Sequence, residues 1–145
     1  MRYCLKKKWP PQTIEHGVLK TIAAFLNSDG GTLLVGVEDD GNILGLEHDY
    51  STFGKNKNYQ DEWVKHFDNI TGHAFGNALM SNIKLDFAFI ENKAVAIIDV
   101  STSSTHVFMK NKTDNNRKQF YIRRNGSTVE LDAEETVAYI KQKWG

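Results

Sequence analysis

Early in the chain Ile14, Val18, Ile22, Phe25 and Leu26 fall at helical spacing, which predicts an amphipathic helix over residues 12 to 28. Asp29-Gly30-Gly31 ends it, because glycine accepts the left-handed backbone that a helix exit needs. Thr32 to Val37 then reads as a short strand and Asp39-Asp40-Gly41-Asn42 as turn chemistry. Ile43 to Leu46 predicts a partner strand completing a hairpin. Residues 47 to 58 are polar and expected to be mobile. Trp63, Phe67, Ile70 and Ala74 restore the helical period, with Gly72 and Gly76 weakening its later turns.

The period then changes. Ile83, Leu85, Phe87 and Phe89 alternate with polar or small residues, the signature of a half-buried strand. Glu91-Asn92-Lys93 turns into Ala94 to Val100, a nearly continuous apolar run that predicts a central strand covered on both faces. Ser101 to Thr105 is a hydroxyl-rich loop, His106 to Lys110 a short strand, and residues 111 to 118 an exposed polar loop. Gln119 to Arg123 is a further strand, followed by an Asn125-Gly126 turn. The last helix opens on Asp132, with Glu135 at capping-box spacing and Val137, Ile140 and Trp144 as its buried stripe. These elements predict a single α+β domain, a mixed and mostly antiparallel sheet with packed helices.

Bulk composition narrows the function classes. At 145 residues the chain suits one domain and can bury ~70% of its unfolded surface. An apolar content of 40% and a charged content of 25% describe a globular chain. The 18 basic and 18 acidic residues cancel, which argues against a wholly phosphate-gripping surface and leaves room for a local basic face. Cys4 is the only cysteine, so no internal disulfide forms, in keeping with a reducing cytoplasm. No apolar run approaches the ~20 residues of a membrane span, and Met1 to Lys8 lacks the apolar core of a signal peptide.

Candidate chemistry is sparse. Gly30-Gly31 follows a helix and leads into a strand, the reverse of a phosphate cradle, so its glycines are structural. Glu38, Asp39 and Asp40 sit together at the predicted hairpin tip. They are either a solvated turn or carboxylate ligands for a hard divalent cation. The basic residues fall into Lys6-Lys7-Lys8, Lys55 with Lys57, and a third group of Lys110, Lys112, Arg117, Lys118, Arg123 and Arg124. That third group flanks a hairpin, where one face can present several cations to a phosphate backbone. Phe120 and Tyr121 interleave with it, and alternation leaves at most one of them free to stack on a base. His16, His48, His66, His73 and His106 lack zinc-ligand spacing, and only His66 or His106 suits acid–base work.

Two separated stretches resemble one family. Val18-Leu19-Lys20-Thr21-Ile22-Ala23-Ala24-Phe25-Leu26-Asn27-Ser28-Asp29-Gly30-Gly31, continuing through Leu34 to Gly41 and Leu44-Gly45-Leu46, is similar to the first signature of the Schlafen-type Alba-like (AlbA_2) domain. Phe120-Tyr121-Ile122-Arg123-Arg124-Asn125-Gly126-Ser127-Thr128 resembles the second. The resemblance spans nearly the whole chain. It implies one AlbA-like domain over residues 1–145, lacking the family's N-terminal Glu-x-Lys strand.

It also implies a nucleic-acid-binding module, for DNA or RNA, with a role in transcriptional regulation. Vertebrate Schlafen members include endoribonucleases with a three-carboxylate metal centre. Glu38, with Asp39 beside it, matches the one acid of that centre found in the turn, and magnesium or manganese would be the cofactor. Glu15 does not match either upstream glutamate, so the metal set is incomplete and a binding role ranks above hydrolysis. A third alternative is a protein-interaction module that forms a homodimer through exposed sheet edges.

Overall fold

Two sheets organise the described residues where the sequence pattern predicts one. The computed structural model describes residues 2–3, 11–37 and 59–145. Strands β1 (Arg2–Tyr3), β2 (Gly31–Val35), β3 (Ile83–Ile90) and β4 (Lys93–Val100) form a four-stranded sheet in the order β1-β2-β4-β3. Only β1 runs parallel to its neighbour; β2, β4 and β3 are antiparallel. Strands β5 (Met109–Asn111), β6 (Arg117–Arg124) and β7 (Ser127–Leu131) form a separate antiparallel sheet. The predicted Ile43 to Leu46 strand lies outside the described residues, where the neighbours of β2 are β1 and β4.

Helix α1 (Pro11–Leu26) lies between the two sheets, and its sequence suits both sides. Val18, Ile22, Phe25 and Leu26 pack with Leu33, Val35, Ala96 and Ile98 of the first sheet. Ala23 and Ala24 pack on Met109 and Tyr121 of the second, their small side chains allowing close approach. Helix α2 (Tyr59–Phe75) closes the main core with Trp63 and Phe67, whose rings stack at 5.7 Å. A 3₁₀ turn (Asn77–Asn82) carries the chain from α2 into β3.

Turn chemistry fixes both hairpins. Glu91 and Asn92 have φ of 54° and 62°, and Asn125 and Gly126 have 50° and 76°. Two left-handed residues match the right-handed twist of flanking strands, giving two-residue loops between Ile90 and Lys93 and between Arg124 and Ser127. At the exit of α1, Gly30 takes φ 75°, and a Cβ there would lie 2.5 Å from the Val100 carbonyl oxygen. A Cβ on Gly31 would meet the Phe25 ring at 2.7 Å. The glycine pair is thus required by packing, as its position between helix and strand predicts.

Some local expectations change. The polar stretch 111 to 118 is not all loop: Asn111 is buried in β5, and Arg117 and Lys118 open β6. Strand β7 has no counterpart in the hydropathy pattern. Helix α3 (Ala133–Trp144) starts with the predicted capping box at Asp132 and Glu135, yet Val137 is 65% exposed. Of the predicted stripe, Ile140 and Trp144 are half-buried, while Thr136 and Tyr139 take the inward place expected of Val137. Strand β4 is central, but cover on its second face fades from buried Val95 to exposed Asp99.

One buried side chain joins the parts. Asn27, 0% exposed, donates from Nδ2 to the carbonyls of Val107 and Tyr121, both at 2.9 Å, and accepts from the Val107 amide at 2.9 Å. Its own carbonyl accepts from the Tyr139 hydroxyl at 2.5 Å and from Lys143 Nζ at 2.9 Å. Asn27→Ala would strand three buried backbone groups at once, so we expect a loss of about 3 kcal/mol or more in urea-unfolding free energy. Asn27→Asp should cost at least as much, because a carboxylate donates no hydrogen bond. An alanine variant within ~1 kcal/mol of the parent would contradict this.

Candidate nucleic-acid interface

The six cations of the third basic group do not share one face. Strand alternation sends Arg117, Gln119, Tyr121 and Arg123 toward α1, and Lys118, Phe120, Ile122 and Arg124 to the opposite side. On the α1 side both arginines are engaged. Arg117 donates from Nε to Asp114 at 2.6 Å and lies 3.7 Å from Glu130, and these carboxylates raise its pKa. Arg123 bonds Thr128 Oγ1 at 2.7 Å and the Gly126 carbonyl, with its guanidinium 5.5 Å from the Phe25 ring centroid. Burial lowers Arg123, which keeps its charge nonetheless.

The remaining cations face outward. Lys110 and Lys118 are direct cross-strand partners on β5 and β6, and Lys112 follows in the exposed turn. Arg124 ends β6 on the Lys118 face, six residues or roughly 20 Å along the strand. Among the described residues no ion pair or side-chain hydrogen bond engages Lys110, Lys112, Lys118 or Arg124. Two like charges directly opposed on a ladder repel one another, so this arrangement costs stability unless an anion relieves it.

Phe120 and Tyr121 are both buried, so neither of the two that could have offered at most one stacking ring is free. The reason is that the second sheet is covered twice. Tyr121 packs beneath α1 on Ala23 and Ala24, and Phe120 lies 5.9 Å from the Tyr139 ring of α3. The outward aromatic is Phe108, 39% exposed and 5.2 Å from Phe120. Val107 and Met109 on either side of it are buried, and the run of three apolar residues gave no sign in the sequence of which one would face out.

Phe108, Lys110 and Lys118 line a trough of about 430 Å³ together with His73 and Gly76 at the end of α2. His73 and Lys110 also border a second cleft of about 500 Å³ between α1, α2 and the β5–β6 turn, which includes Lys112. Within that cleft Glu15 Oε1 lies 2.5 Å from His66 Nε2. Glu38, Asp39, Asp40, His48, Lys55, Lys57 and Lys6-Lys7-Lys8 lie outside the described residues. Among the described residues no group of three His, Cys, Asp or Glu side chains is placed to hold a metal ion, and no helix is long and apolar enough to cross a membrane.

The sequence profile of the family described as Schlafen, AlbA_2 matches residues 4–132. A crystal structure of the DIP2311 protein from Corynebacterium diphtheriae is similar with a TM-score of 0.58 and 19% identity, over 97% of this chain and 24% of that one. That likeness concerns the fold alone, and the present chain spans about a quarter of the length of its structural neighbour.

The covered face of β6 has a titration signature. Burial, and then the nearby Glu130 carboxylate, push the Tyr121 phenol up to about 12, while Arg117 pulls the other way. Below pH 10 the phenol is neutral in both folded and unfolded chains, so Tyr121 adds no pH dependence there. Between pH 10 and 12 the unfolded chain ionises first, and stability falls as pH rises. We expect Tyr121→Phe to flatten that decline in denaturation curves recorded from pH 9 to 12; an unchanged decline would count against the assignment.

Proposed function

This chain belongs to the Schlafen AlbA_2 family, and we propose that it binds nucleic acid through the trough formed by Lys110, Lys118 and Phe108, with Lys112 and Arg124 extending the contact. The opposition of Lys110 and Lys118 carries this reading. Two outward ammonium groups across a ladder, without a carboxylate between them, match a phosphate that would remove their repulsion. The partly exposed Phe108 ring beside them adds a stacking surface suited to an unpaired base. The AlbA_2 membership supports the same class of ligand. A regulatory role in transcription is the natural use of such a module within a longer protein.

Because Arg117 and Arg123 already hold internal partners, they contribute to the position of the ribbon more than to its affinity. Four outward cations set the expected salt response. The slope of log K against log salt should be about −2.8 for single strands and −3.6 for duplex. Lys110→Ala with Lys118→Ala should weaken single-strand binding roughly 25-fold near 0.1 M salt, whereas Arg117→Ala should change it by about twofold or less. Phe108→Ala should cost about 1–3 kcal/mol with single strands and little with duplex. Fluorescence anisotropy with labelled oligonucleotides measures all three. Affinity that stays constant between about 50 and 300 mM salt would refute the proposal.

A further inference from the structure

The cleft beside the trough is built differently from it. Two contacts between elements define its walls. Glu15 of α1 meets His66 of α2 at 2.5 Å, and His73 of α2 meets Asn116 of the β5–β6 turn at 3.1 Å. His66, Asn69 and His73 recur along one polar stripe of α2, at helical spacing beside the apolar stripe of Trp63, Phe67 and Ala74. The floor is apolar, with half-buried Leu19 and Ile70 over fully buried Met109. The rim is cationic, with Lys110 on β5 and Lys112 in the turn. That turn is held by Asn111, which accepts from the Thr113 amide at 3.1 Å and its hydroxyl at 2.8 Å. An apolar floor under a cationic rim fits an amphipathic anion, and about 500 Å³ lies within the usual range for a small-ligand site.

We infer that this cleft seats one nucleotide, its base on Leu19 and Ile70 and its phosphate against Lys110 and Lys112. Asn69 supplies an amide for the base edge. His66, oriented by Glu15, and His73 supply further hydrogen-bonding groups for the phosphate oxygens. The inference rests on the reading of Lys110 and Lys112 as phosphate-facing, but not on a strand being the ligand. A free nucleotide and the phosphorylated end of a strand share the required chemistry.

Isothermal titration of the full chain with AMP, adenosine and inorganic phosphate tests the site. AMP should bind at least about tenfold more tightly than either fragment, since both floor and rim are needed. The exposed-site variant Lys112→Glu should weaken AMP about fivefold or more and leave adenosine unchanged, while Lys141→Glu, on α3 and outside the cleft, should leave AMP within about twofold. AMP binding no better than phosphate or adenosine, or unaffected by Lys112→Glu, overturns the inference. Competition by a 5′-phosphorylated tetranucleotide, against its 5′-hydroxyl form, assigns the source: displacement of AMP by the phosphorylated form alone indicates a strand end, and no displacement by either indicates a free nucleotide. Strand binding that survives while AMP fails removes the cleft and keeps the trough; the converse removes the trough and keeps the cleft.

Discussion

Burial of the Asn27 amide is the constraint on which the remaining structure depends. A helix that ends inside a protein must satisfy its exit, and here the exit also satisfies three other segments. Asn27 bonds the strand approach at Val107 and the middle of β6 at Tyr121. Ser28 extends the junction: its hydroxyl accepts from the Arg123 amide at 2.9 Å, and its carbonyl accepts from Thr102 at 2.6 Å and Lys143 at 2.6 Å. Among the described residues the two sheets share no ladder, so this polar junction and the apolar faces of α1 hold them together. Because every group at the junction is buried or partly buried, its bonds exchange little with water and its geometry is specific.

That junction decides which charges the protein displays. Fixing β6 beneath α1 puts Arg117 and Arg123 on its α1 side, where Asp114 meets the exposed Arg117 and the Gly126 carbonyl meets the half-buried Arg123. The same alternation turns Lys118 and Arg124 outward, and pairing with β5 sets Lys110 opposite Lys118. Helix α3 covers Phe120 and leaves Phe108 uncovered. A cation-bearing surface therefore results from the core packing of β6 and not from the local density of basic residues alone. Neutral overall charge is compatible with a local basic face of this kind.

The trough and the cleft share Lys110 and His73, so a ligand in one is felt in the other. Both lie where α2 meets the second sheet, and the interface is made of long polar side chains over an apolar floor. Such a site presents cationic and apolar surface side by side, as the proposed strand contact requires. The carboxylate turn that resembles a nuclease site belongs to residues outside the described part of the chain. Nothing in the trough requires it.

Several features were fixed by the sequence itself, because they depend on near neighbours along the chain. Helix α1, the glycine exit, the strand at Ile83 to Ile90, the central apolar run, the Asn125-Gly126 turn and the Asp132 capping box all follow from local periodicity and turn chemistry. The family signature was likewise readable from two short runs. Tertiary structure alone decided the division into two sheets, the burial of both Phe120 and Tyr121, the exposure of Val137, and the sorting of the six cations. Each of these depends on which element covers which face. Covering is set by contacts between residues far apart in sequence, such as Asn27 with Tyr139 across 112 positions, and no periodicity within a single segment encodes it.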